Sequence, residues 1–399
     1  MKSISKSRNN GVAIPLALVS VLLLLIIGFS LLELGVKNRL FAIRDTSDIS
    51  ARCAADSGLT KAIFEIKQKM LGNAWFGDEM PSETNMLLAN CNAKFEYTTT
   101  LLPDGNYLVE STGINGINQR TEKCILQKKS PFKAAIFADG DITIKNSGKI
   151  GWYNGKPGSN FMVGTNSTDD SAVTLYNSST IEGGVIVGAG GIPDDVVDLK
   201  NGAEIVGDMT SLSQKNDLII PDVPEWLQLL PSFGTIKNDA TITESAKYSG
   251  IDLKNGDKIT VSGNVSLYIT GDLTLGNSSQ IQIEDGASLT IYLDGNLIGK
   301  NSCGINNETE IPRNLQIYGL EGCTELDLRN GSDCYGVFYA PNAGFILHNS
   351  VTIYGAIVCD TFEIKNSGQI MYDASLEDET FAPVPTDFII TNWNESIGK

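Results

Sequence analysis

Phe362-Glu363-Ile364-Lys365-Asn366-Ser367-Gly368-Gln369-Ile370 is the stretch on which the fold turns. It alternates apolar and polar residues as far as Lys365, breaks at Asn366-Ser367, and resumes with an apolar Ile370. A strand sends successive side chains to opposite faces, so Phe362 and Ile364 point one way while Glu363 and Lys365 point the other. Asn followed by Ser or Gly is turn chemistry. The same phrase recurs around Asn146, Asn177, Asn201, Asn255, Asn277, Asn330 and Asn349, eight copies with Asn366. Two residues before each Asn stands Ile144, Leu175, Leu199, Leu253, Leu275, Leu328, Leu347 or Ile364. Four residues after it stands Ile150, Ile181, Ile205, Ile259, Ile281, Cys334, Ile353 or Ile370.

Regular repetition of a unit too short to bury its own apolar face implies units stacked on one another. The expectation is a mainly β chain whose residues 131–380 form a right-handed parallel β-helix, one coil per repeat, with the eight Asn side chains in an axial amide ladder. The two longer gaps between repeats are expected to hold degenerate coils or excursions. Pro221, Pro224 and Pro231 exclude Ile220 to Ser232 from a central strand, which leaves a surface loop or small helix there.

Working outward, residues 73–130 read as a small antiparallel sheet. Phe95, Tyr97 and Thr99 alternate, Pro103-Asp104-Gly105 turns, Tyr107 and Val109 alternate, and Asn115-Gly116 turns again. Cys91 and Cys124 bracket this meander as a candidate disulfide, with Cys53 the candidate for the unpaired thiol. Residues 381–399 read as a C-terminal tail.

The N-terminus decides where the protein sits. Lys2, Lys6 and Arg8 precede an uncharged run from Val12 to Leu32, long enough to cross the hydrocarbon core as a helix. The positive-inside rule keeps the basic leader cytoplasmic and exports the rest. Over residues 12–72 the helix continues past the membrane, because Leu59, Ile63, Ile66 and Met70 follow 4, 3, 4 spacing with Lys61, Glu65, Lys67 and Lys69 on the other faces. That stripe suits either an assembly face or docking onto the chain's own sheet.

The junction Asn10-Gly11-Val12-Ala13-Ile14-Pro15-Leu16, the apolar run after it, and Ala54-Ala55-Asp56-Ser57-Gly58-Leu59 together resemble the N-terminal module of PilX-type, type IV pilin-like proteins. The resemblance covers about the first 70 residues. It implies that residues 1–11 are a prepilin leader and that a membrane peptidase cuts between Gly11 and Val12. It also implies other pilin-like subunits, pilus or secretion assembly machinery and inner-membrane lipid as partners, at a bacterial inner membrane or cell surface. Major pilins carry Glu at the fifth mature position, where this chain has Leu16; the departure implies a minor or tip subunit, as in certain pseudopilins. Residues 335–376 resemble a β-helical domain often joined to PilX-like N-termini, to which no activity is attached.

Catalytic chemistry finds little footing. Asp139 with Asp141, Asp169 with Asp170, and Asp194 with Asp195 fall at turns, where Asp is expected on conformational grounds. His348, the single histidine, reads as a solvated outward residue. The seven cysteines show no CxxC or Cys/His zinc spacing, so neither a metal nor a cofactor is expected. A net charge of -17 excludes sequence-independent nucleic-acid binding, which needs clustered Lys and Arg. Trp152, Tyr153, Tyr176, Tyr292 and Tyr354 are candidates for a glycan-stacking surface. The function read from the sequence is structural or adhesive; a membrane-anchored carbohydrate-active enzyme and a polymer-forming scaffold are the alternatives.

Overall fold

The computed structural model describes residues 13–70, 79–103, 106–128, 130–155, 161–329, 333–379, 381 and 388–397. The chain divides into two compact units, Met1–Gln127 with Phe388–Lys399, and Lys128–Asp387.

In the first unit, helix α1 runs from Ala13 to Met70 without a break. Its early hydroxyls are satisfied within the helix: Ser20 donates to the Leu16 carbonyl and Ser30 to that of Ile26. An apolar helix that satisfies all its own polar groups is one of the two structures lipid tolerates. Strands β1 (Ser82–Leu87), β2 (Lys94–Leu101), β3 (Tyr107–Asn115) and β4 (Asn118–Lys128) form an antiparallel meander in spatial order. A fifth strand, Phe388–Ile397, lies beside β4, so most of the segment read as a tail is part of this sheet.

One face of the sheet is apolar at every second residue. Phe95, Tyr97, Val109, Cys124 and Leu126 are buried with Ala54, Leu59, Ala62 and Ile66 of α1. Gly113 fixes how close the helix comes. A Cβ there would stand 1.9 Å from the Ala51 carbonyl oxygen and 2.4 Å from the Ala55 nitrogen, so β3 and α1 meet backbone to backbone.

The second unit is built of parallel ladders. Its chain lays down three short strands in succession, and the fourth pairs in parallel with the first. Ile142–Ile144 pairs with Val173–Tyr176, which pairs with Val197–Lys200. Lys149–Asn154 pairs with Thr180–Ile181, and that with Glu204–Ile205. Each set of three strands is one tier, and equivalent residues stack in columns. One buried column reads Val185, Val163, Ile136, Ile357, Phe338, Ile317, Ile291, Leu267 and Ala246, with Met209 at its end. Burying a whole apolar side chain contributes about 1.5–3 kcal/mol, and every tier adds several.

The tiers do not follow chain order. Starting at Thr235–Ile236, the ladder climbs through Gly250–Leu253, Leu273–Leu275, Leu297–Gly299, Glu325–Leu328 and on to Ile364. Residues 362–364 then pair with Ile142–Ile144, residues 357–359 with Ile136–Ala138, and Gln369–Asp373 with Lys149–Asn154. Only beyond this seam come the tiers that end at Met209–Ser211. The one-coil-per-repeat pattern left this order open. Every copy of the repeat carries the same alternation, so the pattern says which residues stack without saying which copy lies on which.

The permutation has a topological reason. This unit is inserted between β4 and Phe388–Ile397, which are neighbours, so its own entry and exit must also be neighbours. The seam makes them so, and the Tyr372 hydroxyl donates to the Phe132 carbonyl at 2.8 Å. The segment after Ser211 must return to the opposite end of the ladder. It contains the short helix Glu225–Gln228, and Val223 and Leu227 are buried in the core, so the excursion does more than cover the surface.

Candidate functional site

Three sets of residues are placed for something other than filling a core: the two halves of α1, the corner and outward columns of the ladder, and a small group of polar aromatics.

Along α1 the side chains change environment once. From Ile14 to Ile43 every large apolar residue is exposed, and none of the most apolar window is buried. From Ala51 onward the helix turns one face into the sheet: Leu59 and Ile66 are buried, and Ile63 packs at the margin. Two members of the stripe are therefore committed to the chain's own sheet and cannot form an assembly face. The Met70 side chain, Gly11 and Val12 lie outside the described residues.

Polar groups pin the same junction. Arg120 of β4 donates through Nε to Asp48 Oδ1 at 2.8 Å and through its terminal nitrogen to Oδ2 at 2.5 Å. The hydrogen bonds from Arg120 hold the Asp48 carboxyl below its ordinary range. Beside it Glu122 is buried, one carboxylate oxygen has no partner, and the group meets Asp56 of α1. Burial, then the hydrogen bond and charge of Asp56, push Glu122 up to about 7, with Glu395 adding and Arg52 opposing. Tyr97 donates to Glu65, and burial raises its phenol well above the usual value.

At the corners of the ladder the residue after each described repeat Asn adopts positive φ: Ser147, Ser178, Gly202, Gly256, Ser278, Ser350 and Ser367. The Asn side chains do form an amide ladder, in spatial order. Asn366 donates to Asn349 at 2.8 Å, Asn146 to Asn366 at 2.6 Å, Asn177 to Asn146 at 2.7 Å and Asn201 to Asn177 at 2.9 Å. A second run joins Asn277 to Asn255 at 3.3 Å. Asn330 lies outside the described residues. Asn301, which sequence reading missed, belongs to the series: its backbone N–H donates to Asn277 Oδ1, and Leu275 is in register with Gly299. Asn-Ser with Ile305 four residues on was the available signal; the Gly at the second position before it hid the match.

The outward residue before each Asn is usually basic: Lys145, Lys200, Lys254, Lys300, Arg329, His348 or Lys365. Stacking cations at strand spacing would repel. Acids two residues earlier neutralise them, as in Lys200–Asp198 at 2.7 Å, Arg329–Asp327 at 2.5 Å and, across the seam, Lys145–Glu363 at 2.6 Å. His348 is not the solvated residue expected. Its Nε2 lies 3.1 Å from the buried Asp327 Oδ1, without the alignment of a hydrogen bond, and burial lowers its pKa.

The proposed aromatic surface divides. Trp152 packs edge-on to Phe161, Tyr292 is buried against Tyr318, and Tyr176 lies under Lys200. Tyr153 and Tyr354 do meet, with Tyr335, which sequence reading omitted; Tyr335 and Tyr354 stack at 4.4 Å. Tyr153 meets both of those rings edge-on, so the three tyrosines pack against one another.

Cys91 and Cys124 are free thiols: Cys124 is buried in the sheet core, while the Cys91 sulfur accepts from the Ala93 N–H. The expected disulfide between them is absent. Cys53 is free and exposed. Burial pushes Cys303 up to about 11 and Cys323 and Cys334 up to about 12, which makes them poor nucleophiles. Asp194 and Asp195 sit exposed in the one-turn helix Pro193–Val196 where a turn was expected, and Asp139 accepts from Asn166 at 2.8 Å. Among the described residues no three His, Cys, Asp or Glu side chains gather as a metal site would require.

Residues 226–379 match the family model described as a domain of unknown function, DUF7305. No curated protein matches. Among solved structures, the competence-associated pilin ComZ from Thermus thermophilus is 12% identical, with 88% of this chain and 98% of that chain covered at a TM-score of 0.26. An ice-binding protein from the Antarctic ascomycete Antarctomyces psychrotrophicus is 14% identical, covering 60% of this chain and 95% of its own at 0.25. An ice-binding protein from an Antarctic bacterium, Flavobacteriaceae, is 11% identical, covering 60% and 96% at 0.20. Scores this low carry neither fold nor function across to this chain.

Proposed function

We propose that this chain is a membrane-anchored, pilin-like structural protein, a minor or tip subunit that displays a rigid body outside a bacterial inner membrane. One observation carries the reading: a single unbroken helix is uncharged and exposed from Ile14 to Leu32 and packed on the sheet from Ala51 onward. The first half has the length and surface of a lipid-embedded anchor, and the second has the helix-on-sheet packing of a small exported head.

The tiers are read as coils of a parallel β-helix, right-handed because parallel crossovers overwhelmingly are. Such a body is a scaffold. Its repeated residues serve stacking, its acids sit at turns or in ion pairs, and its thiols are buried, so display or adhesion to a glycan or other surface ligand suits it better than catalysis. Its partners under this reading are other pilin-like subunits and their PilX-type assembly machinery.

The test is the mature N-terminus. Membrane extraction should require detergent, and mass spectrometry from cells with an active prepilin peptidase should find a chain beginning at Val12. Recovery of intact Met1, or release by alkaline carbonate, would overturn the reading. Turnover of any polysaccharide by the purified chain, lost in Asp194→Asn or Asp195→Asn with folding intact, would replace the scaffold with an enzyme.

A further inference from the structure

We infer that the two open ends of the body join copies of this chain head to tail. The inference rests on reading the tiers as coils. Each column of the ladder stops abruptly at both ends. In one column Ile144 and Leu175 are 0% exposed, whereas the next and last member, Leu199, is 42% exposed. In another Val185 is 0% exposed and terminal Met209 36%. At the opposite end Ile251 is buried and its terminal neighbour Ile236 half-exposed. Among the described residues no further strand lies beyond Val197–Lys200, Glu204–Ile205 and Met209–Ser211 at one end or beyond Thr235–Ile236 and Ala240–Ile242 at the other, where only Ala246–Tyr248 is already paired, by Ser232 and Phe233. Uncapped parallel edges pair readily with another chain.

The occupant is argued from the ends themselves. All tiers run in one direction, so the upper edge of any copy has the polarity to receive the lower edge of another. Continuing the columns by their own register sets Val197 against Ile236 and Ile205 against Ala240, apolar on apolar, and Leu199 against Asn238; because Ser232 already pairs with Lys247, Met209 falls against Pro231. Asp198 falls beside Lys237; Glu204 beside Asp239 is the one like-charged pair. The molecule already contains such a junction. At the seam two tiers with no chain connection between them are held in register by strand pairing, by Asn146 to Asn366 at 2.6 Å and by Lys145 to Glu363 at 2.6 Å. A copy-to-copy contact would repeat the seam between molecules, and because it uses two different surfaces it propagates instead of closing.

The experiment is a complementation by mass. Full-length protein in detergent is followed by mass photometry and sedimentation over a concentration series. Wild type should form a ladder of oligomers; Met209→Lys blocks one end and Ile236→Lys the other, and each should run as a single copy. Their equimolar mixture should form pairs and nothing longer, since only one good end of each remains. Circular dichroism checks folding, and exposed Lys237→Glu blocks the same end should Ile236→Lys disturb it. Wild type that stays a single copy at every concentration, variants that associate like wild type, or a mixture that fails to pair would each overturn the inference. Anchoring and processing are measured separately at the N-terminus, so failure here and failure of the proposed function are distinguishable.

Discussion

The head sheet and the laddered body solve the same problem, burying one face of a strand, by opposite means. In the head, four meander strands and one distant strand present a single apolar face, and a helix covers it; tolerance is set by one backbone contact at Gly113. In the body the short helix Glu225–Gln228 adds only Leu227 to the core; the tiers are covered mainly by one another, and the work is spread over columns of near-identical residues. The first is sensitive at a point and the second along a line. Sequence repetition can encode only the second.

The largest expected effect attacks a column. Ile364 is buried with Leu347 and Ile144 on either side, while Lys365 beside it projects outward. Ile364→Asp places an uncompensated charge in that column and should cost about 3–5 kcal/mol, whereas Lys365→Asp should cost under about 1. Thermal unfolding of the full chain in detergent reads the difference, and equal shifts would reject the inward and outward assignment. Next in size is Gly113→Val, which must lift β3 from α1. Overpacking of this kind costs about 1–3 kcal/mol or more. Hydrogen exchange should rise across residues 107–126 and 51–66 and leave residues 235–373 unchanged; a rise spread evenly over both regions would contradict the point sensitivity of the head.

What was legible in the sequence follows the same division. The columns were readable because Ile144, Leu175 and Ile364 recur at fixed distance from Asn, and local alternation decides which side of a strand is buried. The apolar anchor was readable from length alone. The seam was not, since nothing local distinguishes Phe362 meeting Ile142 from either meeting another tier. The head was legible as a meander but not as a packed unit: Arg120 reaches Asp48 across 72 residues, and the closing strand comes from the far end of the chain. Cys91 and Cys124 flank the meander in sequence, which says nothing about how the intervening strands aim them.

A smaller, pH-dependent effect belongs to the head alone. Glu122 is raised from 4.5 to about 7 by burial and by Asp56, with Arg52, Arg120, Asp48 and Glu395 as the surrounding charges. Between those two values the folded state binds the proton that the unfolded chain has released, so head stability should fall as pH rises from 4.5 toward 7 and then level. Hydrogen exchange of α1 residues 51–66, corrected for intrinsic rates, should accelerate over that interval. Glu122→Gln should flatten the dependence; a slope unchanged by it would assign the titration elsewhere.

The smallest effect separates the amide ladder from the corner that carries it. Asn177 and Asn201 both have φ just above 50°, so replacing either with Ala would mix two losses, the side-chain hydrogen bond and an unfavourable left-handed alanine. Glycine keeps the corner and removes only the amide. Asn177 both donates to Asn146 and accepts from Asn201, whereas Asn201, at the open end, donates to Asn177. Exposed hydrogen bonds are worth about 0.5–1.5 kcal/mol each at most. Asn177→Gly should therefore destabilise the body roughly twice as much as Asn201→Gly, measured by denaturant unfolding of full-length protein in detergent held as single copies by Met209→Lys. Without that block, head-to-tail contact would give Asn201 a further neighbour, and the two losses should converge. Convergence in the blocked protein as well would mean that the ladder amides contribute only through corner geometry, and that the columns beneath them hold the tiers without help from Asn.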